Sequence, residues 1–192
     1  LQERDDSLCA SEGSSTLRPR GRGSHFFNSF FIDRLCDSGH YAKYCYANVR
    51  RWSRKFDIFS QDKVFCPVNI NNMHWTLLVM HIQDKSIIYY DSMGGSDQGL
   101  LQKALRYLDD ESLDKRKEPL ADKSSWKLLC ARAVPRQTNG FDCGLFTVVT
   151  ADFLSDGLPL EYNQSNMAFF RQKLCADVLR GSLNYRQRPR DT

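Results

Sequence analysis

The sequence lacks long apolar runs and a strong excess of charge of either sign. Its longest strictly apolar stretch, residues 77–80, is far shorter than the roughly 18 residues of a membrane span, so we expect no transmembrane segment. The net charge of +4 is too small for a dedicated nucleic-acid binder. No apolar core of a signal peptide is visible. Because the chain opens at Leu1 rather than Met, we expect a fragment of a longer protein.

Paired cysteine motifs are also missing. The chain has 7 cysteines, and no two of them form a Cys-x-x-Cys pair, which disfavours a zinc ribbon or a thioredoxin-type redox site. An odd number of cysteines in a chain of 192 residues is also unlike a small secreted disulfide scaffold. We therefore expect reduced thiols in the cytosol or nucleus, one of which is a candidate for chemistry.

The length of 192 residues fits one domain. Residues 1–24 are rich in Ser, Gly, Arg and Asp and poor in large apolar side chains, which predicts a flexible segment. Residues 185–192 predict a basic tail for the same reason. The folded domain is then expected over residues 25–184.

Apolar periodicity within that domain predicts both helices and strands. Helices are expected from an N-cap at Ser24 and over residues 41–52, 100–108, 145–154 and 167–179. Strands are expected over residues 64–68, 75–82, 87–90 and 126–134, while the charged stretch 109–124 predicts a loop. The mixture indicates an α+β domain, a small sheet flanked by helices, with Trp52 and Trp126 in its core.

Cys143 is the cysteine best placed for chemistry. An Asn139-Gly140 turn delivers it to the start of an apolar helix, where the helix dipole and unpaired N–H groups stabilise a thiolate. Taken alone, this position is explained better by a buried structural cysteine at a helix start.

His74 and Asp91 change that balance. His74 opens one predicted strand and Asp91 closes the next, with a short turn at residues 83–86 between them. The far ends of a hairpin meet, which places the carboxylate beside the imidazole. Asp91 can then orient the ring while His74 pairs with the Cys143 thiolate. The three other histidines receive no catalytic role: His81 is interpreted as structural, and His25 and His40 as helix-flanking residues.

Gln137 lies six residues before Cys143, across a tight turn. Its side-chain N–H is placed to reach the oxyanion that forms when Cys143 attacks a carbonyl, and the Cys143 backbone N–H is the second donor. A loop glutamine bonded to solvent is the alternative.

Three motifs in this order and spacing resemble the SUMO (sentrin)-specific cysteine proteases of the ubiquitin-like protease family. They are His74-Trp75, Tyr90-Asp91-Ser92-Met93-Gly94 and Gln137-x-Asn139-Gly140-x-Asp142-Cys143-Gly144. The similarity runs over residues 26–179. It implies a papain-like α+β fold, a triad of His74, Asp91 and Cys143, and Gln137 as the oxyanion-hole residue.

The resemblance also gives Trp75 a role, as one wall of a narrow tunnel that clamps the Gly-Gly tail of the modifier. Flat indole walls can close on a diglycine backbone because glycine has no Cβ; the alternative for Trp75 is a core aromatic in a strand. The family has an upstream segment with a Trp-Leu-Asn-Asp signature that supplies the opposite wall. Residues 1–24 show nothing like it, so we expect the domain to lack its N-terminal part.

The sequence therefore predicts a thiol protease that cleaves after the Gly-Gly of a SUMO-type modifier, removing it from target proteins, with maturation of the precursor as a second reaction. The expected partners are the modifier and its conjugates. We expect a monomer without metal or cofactor, resident in the nucleus, with the cytoplasm as the alternative. A protease for another ubiquitin-like modifier, a SUMO-binding module that does not cleave, and an acyltransferase are the competing hypotheses.

Overall fold

A computed structural model of the chain describes residues 23–36 and 43–181. Strands and helices are mixed along these ranges, which confirms the predicted α+β class. The strands are β1 (Ser24–Phe26), β2 (Lys63–Ile70), β3 (His74–His81), β4 (Ser86–Tyr90) and β5 (Lys127–Cys130). The helices are α1 (Phe30–Leu35), α2 (Gln98–Arg116), α3 (Cys143–Ser155) and α4 (Met167–Arg180). The predicted flexible segment 1–24, apart from positions 23 and 24, and the predicted tail 185–192 lie outside the described residues.

The described strands form one sheet in the order β1-β2-β3-β4-β5. β2, β3 and β4 pair antiparallel, while β1 and β5 run parallel to their neighbours at the two edges. β3 is central and covered on both faces, which explains its nearly continuous apolar sequence. Leu78 and Met80 belong to the main core with α1 and α2. Leu77 and Val79 point to the other face, where α3 packs.

The beginning of the chain differs from the prediction. Ser24 is not a helix N-cap: it opens β1, which pairs with β2 in the register Ser24↔Lys63. Parallel pairing with β2 outweighs the local helical spacing of the phenylalanines, as tertiary context commonly does. The helix is correspondingly short and begins only at Phe30.

Two further expectations were wrong, and for one reason. The described part of the predicted helix 41–52 holds only a 3-10 turn, Tyr46–Asn48, and α2 continues to Arg116 through half of the predicted loop 109–124. The reason is a set of hydrogen bonds between the two stretches. The carboxylates that suggested a loop lie on α2 and accept from the predicted helix 41–52: Tyr44 donates to Asp110 and Tyr46 to Glu111, both at 2.6 Å.

The remaining elements lie close to their predicted positions. β2, β3, β4, α3 and α4 overlap the expected ranges, whereas β5 is shorter than the predicted strand 126–134 and ends at Cys130. Trp126 is buried in the main core, and Trp52 packs against it half-buried. All cysteines within the described ranges are free thiols. No helix there is long and apolar enough to cross a membrane.

Candidate active site

The hairpin of β3 and β4 brings His74 and Asp91 together. The paired register of this hairpin ends at Leu77↔Tyr90. Asp91 comes directly after Tyr90 and His74 begins β3, so both residues lie at the open end of the hairpin. The His74 Nε2 atom lies 2.7 Å from Asp91 Oδ1. A carboxylate can only accept here, so Nε2 carries the proton and the imidazole is held in one tautomer.

The Asp91 carboxylate is itself fixed by the turn that follows it. The Met93 N–H donates to Oδ1 at 2.8 Å, and the Gly95 N–H donates to Oδ2 at 2.9 Å. Asp91 is buried at 6% exposure, so these donors satisfy lone pairs that water cannot reach. The carboxylate therefore has one defined position from which to orient His74.

Cys143 is the first residue of α3 and is 6% exposed. As the first helical residue, it has a backbone N–H without an intrahelical acceptor. The next residue packs against β3, because a Cβ added at Gly144 would lie 3.4 Å from Trp75 Cδ1. His74 and Cys143 are the sequence neighbours of this contacting pair, so their backbones meet at one corner of the fold.

The second ring nitrogen of His74 is not used by Asp91. Nδ1 is buried and has no hydrogen-bond partner among the described residues. With Nε2 protonated toward Asp91, Nδ1 carries the lone pair. Leaving a buried imidazole nitrogen without a partner costs free energy in the folded state, and a nitrogen with a lone pair can accept a proton in catalysis.

Gln137 lies beside this corner and is tightly held. Its backbone N–H donates to the Ser92 carbonyl at 3.1 Å. Its side-chain Oε1 accepts from the Ser92 hydroxyl at 2.6 Å, and Nε2 donates to the Asn139 carbonyl at 2.6 Å. The side chain is thus bonded within the protein, unlike a solvent-bonded loop glutamine.

Asp142, which precedes the cysteine, anchors the loop that carries it. The buried carboxylate accepts hydrogen bonds from Asn139 and Gln164 and forms an ion pair with Arg171 of α4. The Asn139 amide contributes most, and together these donors hold the pKa of Asp142 below its usual range against the opposing effect of burial. Sequence reasoning gave Asp142 no role and missed Gln164 and Arg171, which lie 22 and 29 residues away along the chain.

Trp75 is half-buried and does not belong to the buried core clusters of the described residues. It lines an open, largely apolar groove of about 510 Å³ between the sheet and α3. Other residues along this groove are Phe26, Phe65, Leu77, Gly144 and Val148. The indole thus faces a cleft that continues from the first turn of α3.

The other described histidines lie elsewhere. His81 is buried at the end of β3, where burial and then the charge of Lys63 lower its pKa. His25 stacks on Phe56 with ring centroids 3.8 Å apart. His40 lies outside the described residues. Among the described residues, no group of three or more His, Cys, Asp or Glu side chains is placed to hold a metal ion.

Similarity to one protease family extends over most of the chain. The family model described as Ulp1 protease family, C-terminal catalytic domain, matches residues 20–181. The chain is 39% identical over 159 residues to ubiquitin-like-specific protease 1A of Arabidopsis thaliana, covering 81% of this chain and 31% of that protein. It is 34% identical over 161 residues to sentrin-specific protease 2 of Mus musculus, covering 83% and 26%.

A solved structure shares the fold. The C-terminal Ulp1 protease domain in complex with SMT3, the yeast ortholog of SUMO, superposes with a TM-score of 0.68 at 27% identity, over 84% of this chain and 70% of that one. This agreement confirms the papain-like α+β architecture expected from the sequence. The chain spans 31% and 26% of the lengths of these two relatives.

Proposed function

The chain belongs to the Ulp1 protease family, and on that premise we propose that it is a thiol protease that hydrolyses the bond after the C-terminal Gly-Gly of a SUMO-type modifier. The observation that carries the proposal is the His74–Asp91 pair at 2.7 Å, which leaves His74 Nδ1 without a hydrogen-bond partner among the described residues. SUMO is the modifier favoured by the relatives, which include a Ulp1 domain bound to SMT3.

Acylation begins when His74 Nδ1 takes the proton of the Cys143 thiol. The thiolate attacks the carbonyl carbon of the terminal glycine, and the electron pair of the C=O bond moves to oxygen. That oxyanion accepts hydrogen bonds from a Gln137 Nε2–H and from the Cys143 backbone N–H. When the tetrahedral intermediate collapses, the C–N bond breaks and His74 gives its proton to the leaving amine, which is the lysine Nζ of a conjugate.

Deacylation uses the same groups in reverse. His74 Nδ1 takes a proton from water, and the hydroxide adds to the thioester carbonyl. The C–S bond then breaks, the thiolate recovers its proton from His74, and the modifier leaves with a free carboxyl group. Asp91 stabilises the imidazolium in both halves of the reaction without taking its proton.

Specificity for a diglycine tail fits the position of Trp75. The indole lies against Gly144, immediately after the nucleophile, and forms part of the apolar groove. A flat aromatic wall admits a backbone without Cβ atoms more closely than any other. Contacts with the folded body of the modifier then orient that tail at Cys143, which converts binding energy into rate.

The decisive test is mass spectrometry of the intact chain after mixing it with SUMO and ubiquitin that carry a C-terminal electrophile. We expect an adduct with SUMO alone, mapped to Cys143. The Cys143→Ala variant should form no adduct but still bind SUMO. Cys175→Ala removes an exposed thiol of α4 and serves as the matched control, with adduct formation unchanged.

The other outcomes separate the competing hypotheses. Binding of SUMO without an adduct, by a folded chain, identifies a binding module that does not cleave. An adduct with ubiquitin instead identifies a protease for another modifier. Turnover of a SUMO conjugate by Cys143→Ala would contradict the assigned nucleophile. Nuclear residence and a monomeric state remain predictions, to be checked by imaging the tagged full-length protein and by light scattering.

A further inference from the structure

We propose that Ser92 is a positioning residue that sets the side-chain amide of Gln137 in the orientation needed to stabilise the oxyanion; this inference rests on the proposed function. Ser92 holds Gln137 at two points. Its carbonyl accepts from the Gln137 backbone N–H at 3.1 Å, and its hydroxyl donates to Gln137 Oε1 at 2.6 Å. Both residues are half-buried.

The direction of these hydrogen bonds follows from chemistry. The Asn139 carbonyl, 2.6 Å from the Gln137 amide, can only accept, so the Gln137 NH₂ group must face it. Oε1 therefore faces Ser92, and the Ser92 hydroxyl must donate. One Nε2–H donates to Asn139, and the second, which has no acceptor among the described residues, is left for a ligand.

This arrangement improves the free N–H as a donor in two ways. A glutamine side chain has several rotatable bonds, and an oxyanion donor contributes fully only when it is held in place before the charge develops. Ser92 and Asn139 clamp both ends of the amide and supply that rigidity. Donation from Ser92 into Oε1 also polarises the amide and strengthens its remaining N–H, as in other hydrogen-bond chains.

The same turn serves the triad carboxylate. Ser92 lies between Asp91 and Met93, whose N–H binds the Asp91 carboxylate at 2.8 Å. One short segment thus fixes both the group that orients His74 and the group that orients Gln137. The positions of the Asp91 carboxylate and of the Gln137 amide therefore both depend on the same short turn.

The first experiment compares Ser92→Ala, Ser92→Thr and Ser96→Ala in hydrolysis of a fluorogenic SUMO C-terminal amide by the full chain. We expect Ser92→Ala to lower kcat about tenfold, part of the 10²–10³ that loss of an oxyanion donor costs, with little change in KM. Ser92→Thr keeps the hydroxyl and should stay within about threefold of wild type. Ser96 is exposed in the same loop, and Ser96→Ala is the matched control.

A double-mutant cycle shows whether Ser92 acts through Gln137. In a Gln137→Ala background, Ser92→Ala should lower kcat by less than about twofold, because the amide that it positions is gone. Alkylation of Cys143 by iodoacetamide forms no oxyanion, so Ser92→Ala should leave its rate unchanged. A slower alkylation, or losses that multiply in the double variant, would show that Ser92 supports the turn in general and would overturn the inference.

A readout without turnover keeps the inference separate from the proposed function. The two side-chain Hε2 resonances of Gln137, followed by NMR in the Cys143→Ala chain, should move toward random-coil shifts in Ser92→Ala and stay in place in Ser92→Thr. Unchanged resonances in Ser92→Ala would refute the positioning role. If the wild-type chain leaves SUMO substrates intact, the proposed function fails while this measurement still decides the role of Ser92.

Discussion

A single methyl group added at Gly95 should disturb the triad carboxylate directly. Its N–H donates to Asp91 Oδ2 at 2.9 Å, and a Cβ added there would lie 2.5 Å from the same oxygen. Real Cβ atoms essentially never approach another heavy atom within 3.0 Å. In Gly95→Ala, the carboxylate or the turn must therefore move by about 0.5 Å or more, which reaches the tolerance of about 0.5 Å for a catalytic group.

The expected loss follows from that displacement. A misplacement of about 1 Å can cost about 100-fold in rate, so we expect Gly95→Ala to lower kcat/KM for a fluorogenic SUMO amide about 10- to 100-fold. The unfolding free energy should fall by less than about 3 kcal/mol, the upper range for a hydrogen bond to a charged group. Urea denaturation followed by circular dichroism measures this second quantity on the same samples.

Gly99→Ala is the matched control. It makes the same substitution in the first turn of α2, where the nearest atom to the added Cβ is Asp97 Oδ1 at 3.4 Å, and alanine favours the helix. Activity and stability should equal or exceed those of wild type. If Gly95→Ala is folded and also keeps wild-type kcat/KM, then rigid placement of Asp91 is not required for the reaction.

Two predictions concern pH. Burial lowers the pKa of His81 in the folded state. Below about pH 6.5, the ordinary pKa of histidine, the unfolded state therefore binds a proton at this residue more readily than the folded state. The unfolding free energy should therefore fall on acidification from that pH, with a contribution from His81 of at most about 1.4 kcal/mol per pH unit. The His81→Gln variant should show a smaller slope in pH-dependent urea titrations, and the part that remains belongs to His25, whose pKa burial also lowers. The pKa of Asp142 is also lowered in the folded state. Its contribution to the free energy of unfolding is complete above about pH 4 and is lost as the pH falls and the folded carboxylate takes a proton. Asp142→Asn should flatten that acid limb of the same titration, and an unchanged limb would show that the carboxylate network adds no stability.

The contact between His74 and Asp91 was foreseeable because it depends on local information. Alternation and a short turn define a hairpin, and a hairpin fixes which residues meet at its open end. β3 and β4 keep that register although β4 has only 5 residues. The path from sequence to this part of the site needs no knowledge of the rest of the fold.

The parts that were missed depend on distant partners. Ser24 joins a strand because of β2, 39 positions away in the register Ser24↔Lys63. The extension of α2 depends on carboxylates such as Glu111, which accepts from Tyr46 65 residues earlier. Arg171 reaches Asp142 from α4. Charged side chains of this kind look solvated in a sequence, and only the assembled fold shows which of them have buried partners.

The apolar core of the described residues is divided into two main clusters, and the candidate active site lies between them. Among the described residues, α3 and α4 share one apolar cluster, and the sheet with α1 and α2 shares another. Cys143 begins α3, which belongs to the first cluster, whereas His74 and Asp91 lie on the sheet, which belongs to the second. A small third cluster of Phe65, Leu77 and Val79, against which Ala151 and Leu154 of α3 pack, joins them. The candidate active site thus lies between two apolar clusters, so turnover depends on how these clusters pack against each other through the third.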